Sequence, residues 1–268
     1  MNSSNRNSVI EKAFTILFVF IDEQDEWGVR DLAKRLEYPT STLHRMLRSL
    51  QDLGLLEYNS TTRKYEMGVE LLRIGSVLSS KLDIKKLARP FLEQFVDEYK
   101  ETICLVLYHR KTKKLMFVDQ IIGPAPFQYV INLGELQPVP YGSSGKSILA
   151  FLESEEVEHI LRIEDFSDDQ KNNIRKELQT IRNNGVALSE GERVKGARGI
   201  AAPLFDSSGF PIGSVIFAAP IIQLEKDYET LLSLAIKEIS TSISQKLGYV
   251  NAEANVKNHL ELKKWKGE

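Results

Sequence analysis

A glycine- and serine-rich stretch, YGSSGKSILAF at residues 141–151, carries the residue types of a phosphate-binding loop. Gly-Lys-Ser running into an apolar helix is typical of loops whose amides wrap a nucleotide phosphate. Such a loop also needs a glycine five positions before Gly145, but this sequence has Pro140, which removes a backbone donor. The preceding segment, ELQPVPY, does not have the pattern of the buried strand that such a loop follows. The sequence therefore argues against a nucleotide hydrolase.

The same stretch still predicts a place where an anion can bind. A helix that begins in a Gly/Ser-rich turn presents free amides and the positive end of its dipole. We expect the amides of Ser143, Ser144 and Gly145, together with the serine hydroxyls, to hold a carboxylate as readily as a phosphate. The alternative is an ordinary helix cap over a tight turn, and these residues alone do not decide between the two.

A second group of residues has positive charge and hydroxyl groups at helical spacing. In STLHRMLRSLQ, residues 41–51, Ser41, Arg45 and Arg48 lie opposite a stripe of leucines. Arginine reaches guanine edges with two hydrogen bonds, and hydroxyl groups contact phosphates. We expect DNA contacts from this helix and from the tip of a following hairpin: Thr40, Ser41, Thr42, His44, Arg45, Arg48, Arg63 and Lys64. The alternative is a merely solvated polar face, since the first 80 residues are not basic as a whole.

The elements that must position these residues fall into two groups. Up to Met67, the hydrophobic spacing predicts three helices and then a hairpin, LLEY and KYEM around NSTTR, which is the layout of a winged helix-turn-helix. VELLRIGSVLSS predicts a connecting helix. From about Asp83, pairs of strands alternate with helices, which indicates an α+β domain with an antiparallel sheet.

We therefore divide the 268 residues into a winged helix-turn-helix domain at 1–68, a linker helix at 69–82, an effector-binding and oligomerisation domain at 83–250 and a polar tail at 251–268. Within the third part, FQYVIN at 127–132 predicts a short strand, and DSSG at 206–209 predicts a hairpin turn. Ser167 and Gln170 have the spacing of a capping box at the start of a long helix.

Composition bounds the environment and the partners. Hydrophobic residues make up 42% of the chain, enough for a sizeable core, and the formal net charge of −2 does not indicate a polyanion partner for the chain as a whole. The single cysteine, Cys104, rules out a disulfide within the chain. With no signal peptide or membrane-spanning run at the N-terminus, we expect a cytoplasmic protein with no membrane partner.

Candidate catalytic groups are few. Cys104 lies in an apolar strand, where a thiol is usually inert. The four histidines have no metal-ligand spacing, and there is no nucleophile elbow. Glu192 could serve as an acid, although support of a loop through hydrogen bonds fits it better. We expect no enzyme activity, no metal and no cofactor.

Three segments of the first domain, VIEKAFTILFVF, LAKRLEYPTSTLHRMLRSLQDLGLL and YEMGVELLRIG, resemble the DNA-binding domain of IclR-type transcription regulators. QPVPYGSSGKSILA and the segment from Gly185 to Pro203 are similar to the family's second domain, so that the resemblance spans about residues 9 to 248. It implies a GAF-like effector domain with a six-stranded antiparallel sheet, and assembly into homodimers or homotetramers.

By this resemblance, Ser143, Ser144 and Gly145 would form the floor of an effector pocket, and Ser189, Ala197 and Gly199 its other side. Asp119 and Tyr129 are candidates for the rim, with a surface carboxylate and a packing aromatic as the alternative. The chain departs from the family pattern at Pro140, Gly142, Ser143 and Ser147, where the pattern has His, Thr, Ala and Ala. Gly199 stands where many members have cysteine, which removes a thiol contact to the ligand.

The sequence thus predicts a transcription regulator, repressor or activator, that binds a double-stranded DNA operator under the control of a small organic acid. A constitutive DNA-binding protein whose second domain only oligomerises is the alternative, and an enzyme acting on a small acid is a further one. The sequence does not identify the effector, the operator, the sign of regulation, the choice between dimer and tetramer, or the order of the C-terminal tail.

Overall fold

The computed structural model describes residues 8–81, 83–124, 131–220 and 226–250. Its internal contacts divide the chain into two compact units, Met1–Leu82 and Asp83–Glu268. The predicted tail at 251–268, Tyr129 and most of the predicted strand FQYVIN lie outside the described residues. No helix in the described part is long and apolar enough to cross a membrane.

The first unit contains four helices and a small sheet. Its elements are α1 (Val9–Asp22), β1 (Glu26–Trp27), α2 (Val29–Leu36), α3 (Thr40–Asp52), β2 (Leu56–Asn59), β3 (Lys64–Met67) and α4 (Val69–Lys81). The three strands are antiparallel in the order β1-β3-β2. α1 starts with a capping box between Ser8 and Glu11, and the core joins its buried face to those of α2 and α3.

A three-residue turn separates α2 from α3. Glu37 has a left-handed backbone with φ of 54°, and Pro39 precedes the first residue of α3. α3 buries Leu43, Leu47 and Leu50, as the leucine stripe predicted, and also Met46. The turn ends one helix and starts the next within a short length, so that α2 and α3 pack against each other.

The second unit is a six-stranded sheet between two layers of helices. Its elements are α5 (Asp83–Tyr99), β4 (Ile103–His109), β5 (Lys114–Ile121), β6 (Leu136–Pro138), α6 (Gly142–Leu149), α7 (Ser154–Ile163), α8 (Asp168–Asn184), β7 (Ala187–Glu190), β8 (Ala197–Phe205), β9 (Pro211–Pro220) and α9 (Lys226–Lys246). The strand order is β6-β5-β4-β9-β8-β7, with every pair antiparallel. This is the α+β, GAF-like architecture that the resemblance implied.

Alternation along the strands gives the sheet two apolar faces. On β4, Cys104 and Val106 face the core under α6, α7 and α8, whereas Ile103 and Leu105 face the core under α5 and α9. The predicted capping box at Ser167 and Gln170 starts α8, and the hairpin turn before Gly209 joins β8 to β9. The short strands β1, β6 and β7 had not been predicted from the sequence.

Candidate functional site

The outer face of α3 carries the side chains predicted to contact DNA. Thr40, Ser41, His44, Arg45 and Arg48 are exposed, and Thr42 is half-buried beside the leucine stripe. Pro39, which precedes the helix, contributes no side-chain cap, and the first turn has no acidic residue. The amides of that turn are therefore available to a phosphate oxygen.

The arginines on this face carry uncompensated charge. Within the part of the chain that the structure describes, neither Arg45 nor Arg48 forms an ion pair. Arg35 and Arg73 in the same unit, by contrast, are bound to Glu23 and Glu70. A guanidinium without a carboxylate partner keeps its donors for a nucleic acid.

The hairpin β2–β3 holds a tight polar loop. Asn59 Oδ1 accepts the amides of both Thr61 and Thr62, and Arg63 at the end of the loop has φ of 57°. Arg63 is exposed at this tip. Lys64 is also exposed, but its ammonium lies 3.5 Å from Glu26 of β1, which partly offsets its charge. Strand β1, which the sequence does not predict, thus places a carboxylate beside Lys64, one of the predicted DNA contacts.

A small cavity opens beside the N-terminus of α6 in the second unit. It offers about 30 Å³ for the centres of water molecules, which is room for roughly two waters. The lining residues are Phe117, Gly142, Ser143, Ser144, Ser189, Glu192, Arg193, Val194, Ala197, Arg198, Gly199, Ile216 and Ala218. The structure therefore brings together Ser143, Ser144, Ser189, Ala197 and Gly199, five of the eight residues that the sequence assigned to an effector.

The first two amides of α6 are already bonded to the protein. The Gly142 amide donates to Glu192 Oε2 at 3.0 Å, and the Ser143 amide donates to Ser189 Oγ at 2.8 Å. Both acceptors come from the β7–β8 region, about fifty residues away in sequence. Of the three amides expected to bind an anion, those of Ser143, Ser144 and Gly145, the Ser143 amide is therefore already bonded within the protein.

Two hydroxyl groups at the cavity have no partner. Ser143 and Ser144 are fully buried, and neither Oγ atom forms a hydrogen bond with a described residue. A buried hydroxyl without a partner costs about 1–3 kcal/mol, so such groups usually have a water, an ion or a ligand beside them. This pair of hydroxyls is the strongest sign that a polar molecule binds in the cavity.

Glycine is favoured at positions 199 and 145 for different reasons. A Cβ atom on Gly199 would lie 2.5 Å from Ser143 Oγ and 3.1 Å from Ser189 Oγ, so a side chain fits at this position of β8 only if these hydroxyls move. A Cβ atom on Gly145 would lie 1.7 Å from the carbonyl oxygen of Val139. Gly145 therefore permits α6 to pack on its own preceding segment and is not part of the cavity wall.

Lys146 joins three elements behind the cavity. Its buried ammonium donates to Glu177 of α8 at 2.8 Å and to Glu192 Oε1 at 2.7 Å. In a phosphate-binding loop the corresponding lysine would point to the nucleotide. Here two carboxylates hold it, and the strand before α6 is the short edge strand β6. Both features agree with the rejection of a nucleotide site.

Asp119 lies on the other side of the sheet. Leu105 of β4 pairs with Asp119 of β5 and Val106 pairs with Phe117, so that Val118 is an extra residue in β5 and forms a bulge. The bulge changes the alternation along β5, and Asp119 therefore faces α5. There it is buried and pairs with Arg89 at 3.3 Å. The structure does not bring Asp119 to the cavity, and Tyr129 lies outside the described residues.

Three of the cavity residues that the sequence did not assign to the effector are charged: Glu192, Arg193 and Arg198. Glu192 had been considered only as an acid or as a loop support. Arg193 donates to Gln137 Oε1 and to the carbonyl oxygens of Pro138 and Tyr141, and Arg198 binds Glu190 and Glu229. The signal available in the sequence was the alternation of glycine and charge in SEGERVKGARG at 189–199.

The described residues include neither an activated thiol nor a metal site. Burial, together with the nearby Asp119 carboxylate, raises the pKa of the Cys104 thiol to about 12, which keeps it protonated near neutral pH. Within the described ranges, no group of three or more His, Cys, Asp or Glu side chains is placed to hold a metal ion.

Two family models match this chain. The IclR helix-turn-helix domain matches residues 9–60, and the model described as bacterial transcriptional regulator IclR C-terminal matches residues 76–245. The HTH-type transcriptional regulator KipR of Bacillus subtilis is 25% identical over 253 residues, which are 91% of this chain and 99% of that protein.

Solved structures share the fold. The IclR transcriptional regulator from Alicyclobacillus acidocaldarius superposes with a TM-score of 0.78 at 20% identity, covering 90% of this chain and 98% of that one. An IclR homolog from Microbacterium hydrocarbonoxydans, crystallised with 4-hydroxybenzoate, gives a TM-score of 0.72 at 20% identity and covers 90% and 99% of the two chains.

Proposed function

Because this chain belongs to the IclR family of bacterial transcriptional regulators, we propose that it binds a double-stranded DNA operator under the control of a small organic acid. The acid binds in the cavity beside α6, and the α3 face binds the operator. The observation that carries the ligand half is the pair of fully buried, unpartnered hydroxyls of Ser143 and Ser144. Such a protein works in the cytoplasm, where the DNA is.

The DNA half rests on the family and on the chemistry of α3. Exposed arginines without carboxylate partners, hydroxyls beside them and an acid-free first turn suit a helix that enters the major groove. Arg63 at the hairpin tip would meet the phosphate backbone. A homodimer or homotetramer would present two such faces and require a roughly palindromic operator.

The choice of an acid rests on the charges around the cavity. Arg193 and Arg198 line it, and Lys146 lies directly behind Glu192. The related protein from Microbacterium hydrocarbonoxydans was crystallised with 4-hydroxybenzoate, an acid that also carries a hydroxyl group. A ligand of this class would supply both an anion for the cations and polar atoms for the two serine hydroxyls.

Control of DNA binding needs a difference in affinity. The acid shifts the equilibrium only as far as it binds one arrangement of the protein better than another. The internal bonds from Gly142 and Ser143 favour one other reading, in which the second unit binds no ligand and DNA binding is constitutive.

Fluorescence anisotropy tests the proposal. The protein is titrated onto DNA from upstream of its own gene and its neighbours, across a salt series and with competitor DNA. Specific binding that weakens as salt rises, and that changes when organic acids are added, is the expected result. Specific binding that no acid changes would favour the constitutive alternative. Affinity no higher than for random DNA, across wider genomic DNA and with acids present, would refute the regulator.

A further inference from the structure

The loop that joins β7 to β8 closes over the cavity. Glu192, Arg193 and Val194 line the cavity from this loop, residues 191–196. Gly191 and Gly196 at its ends have φ of 67° and 84°, a backbone region that favours glycine. The Gly191 amide donates to the carbonyl oxygen of Ala197 at 2.8 Å, which closes the loop at its base. The loop therefore has a fixed base and two conformationally permissive ends.

The Glu192 carboxylate fastens this loop to α6. One oxygen accepts the Gly142 amide at 3.0 Å, and the other accepts the Lys146 ammonium at 2.7 Å. A carboxylate at the first amide of a helix is also stabilised by the helix dipole. The Glu192 side chain is about one-third exposed, so solvent and solutes reach it.

The contacts of Glu192 are those that a carboxylate ligand would make. An acid in the cavity needs an amide at the start of α6 and a nearby cation, and Glu192 occupies one of each. Lys146 is already shared with Glu177, so two carboxylates face one ammonium. A third carboxylate would be repelled while Glu192 stays in place. The Glu192 side chain also lines the cavity and takes up part of the space that an acid would need.

We propose that Glu192 is a built-in competitor for the effector site. An acid binds by displacing the Glu192 carboxylate from the Gly142 amide and the Lys146 ammonium. The loop 191–196 then turns outward about Gly191 and Gly196, which also releases the hydrogen bonds from Arg193 to Gln137, Pro138 and Tyr141. This inference rests on the proposed function for its biological meaning, but its chemistry is independent of DNA. It defines the ligand as a monocarboxylate with a second polar group for the hydroxyls of Ser143 and Ser144.

The test compares four proteins: the natural chain, Glu192→Ala, Glu192→Gln and Glu158→Ala. Acetate and 4-hydroxybenzoate are the probes, and acetamide and 4-hydroxybenzamide are their neutral counterparts. Dissociation constants are measured by calorimetry or NMR titration. Glu158→Ala is the matched control, because Glu158 is an ion-paired carboxylate of the same unit, and neither it nor its partner Arg175 lines the cavity.

We expect Glu192→Ala to bind at least one of the two acids about tenfold more tightly than the natural chain, at the low end of typical coupling between sites. Glu192→Gln keeps an oxygen for the Gly142 amide and should show a smaller gain. Glu158→Ala and the neutral amides should show no gain. Equal, weaker or undetectable acid binding by Glu192→Ala would overturn the proposal, as would an equal gain in Glu158→Ala. If Glu192→Ala does not fold, Glu192→Gln decides in the same way.

Trypsin provides a second measurement without added ligand. Arg193 and Lys195 are its cleavage sites within the loop. We expect cleavage there to be faster in Glu192→Ala than in the natural chain and in Glu158→Ala, and unchanged rates would contradict a loop whose closure depends on Glu192.

The DNA assay separates this inference from the proposed function. A gain in acid binding without any specific operator would leave Glu192 as a competitor and refute the regulator. An operator response to acids without a gain in Glu192→Ala would do the reverse.

Discussion

The Ser143 hydroxyl of α6 lies where a side chain at Gly199 of β8 would be. In the family pattern that this chain resembles, the first position has alanine and the second often has cysteine. Here the added oxygen of Ser143 lies where a side chain at 199 would be, 2.5 Å from the Cβ position. The two departures therefore compensate each other: α6 has the larger side chain at position 143, and β8 has none at position 199. The polar atom in this space comes from the helix and not from the sheet.

The close contact between positions 143 and 199 predicts coupled effects on stability in a double-mutant cycle. Gly199→Ala alone should lower the free energy of unfolding by about 1–3 kcal/mol, because its methyl group meets Ser143 Oγ. Ser143→Ala alone should be neutral or slightly stabilising, since it removes a buried hydroxyl without a partner. The double variant should recover most of the loss, with a coupling of about 1 kcal/mol. Calorimetric unfolding measures all four proteins, and strictly additive effects would contradict the close contact.

Substitution of Arg45 tests the proposed DNA-binding face of α3 most directly. Arg45→Ala should cost about 1–3 kcal/mol of specific binding if the guanidinium reads a base edge. Arg45→Lys is the matched control, because it keeps the charge but loses the two-pronged donor. A base contact predicts that lysine rescues little, whereas a phosphate contact predicts that it rescues most. Anisotropy on the operator measures both, and an alanine variant with unchanged affinity and specificity would remove Arg45 from the interface.

Elements with strong local signals were predictable. The capping box at Ser167, the hairpin turn before Gly209 and the leucine stripe of α3 each depend on residues within a few positions of one another. The strands β1, β6 and β7 have two to four residues, too few for an alternating pattern to stand out. Only pairing with β3, β5 and β8 makes them strands, and such pairing is not visible in local sequence.

The cavity residues that local motifs indicate were predictable, whereas those that depend on distant contacts were not. The serines at the start of α6 and Gly199 follow from motifs and from the family pattern. The bond from Gly142 to Glu192 joins residues fifty positions apart, and no local spacing predicts it. Asp119 was assigned to the rim because it precedes the cavity in sequence, whereas a single bulge turns it toward α5.

The turn between α2 and α3 carries strain that a substitution can remove. Glu37 has φ of 54°, where a side chain costs more than glycine does. Glu37→Gly should therefore raise the free energy of unfolding by about 0.5–1 kcal/mol and leave operator affinity unchanged. Lys34→Gly, inside α2, is the control and should lose about 1 kcal/mol. Calorimetry decides, and a destabilised Glu37→Gly would mean that the Glu37 side chain makes a contribution larger than its strain.

At the scale of the whole second unit, the sheet separates two environments. One face supports α6, α7 and α8 and includes the cavity, and the other packs against α5 and α9. The strands β8 and β9, which line the cavity, contribute side chains to both faces. A ligand in the cavity would therefore contact strands whose alternate residues pack against α5 and α9.

The first unit has an apolar surface that no described residue covers. Ile10, Phe14, Phe18 and Ile21 lie along one side of α1, each more than half exposed, and the two phenyl rings are 6.2 Å apart. Spacings of four, four and three residues put them on one face of the helix. We expect such a stripe to contact a second copy of the chain, which is the arrangement that the proposed palindromic operator would need.

Phe18→Glu tests this assembly. A buried charge at a dimer contact should shift the protein toward monomers and lower operator affinity at least tenfold, or about 1.4 kcal/mol, because two linked half-sites bind more tightly than one. Ile163→Glu is the control, since Ile163 is 58% exposed, close to the 54% of Phe18, and ends α7 in the other unit. Sedimentation measures the mass and anisotropy the affinity. If Phe18→Glu keeps the mass and the affinity of the control, the copies meet through another surface and the stripe on α1 has a different partner.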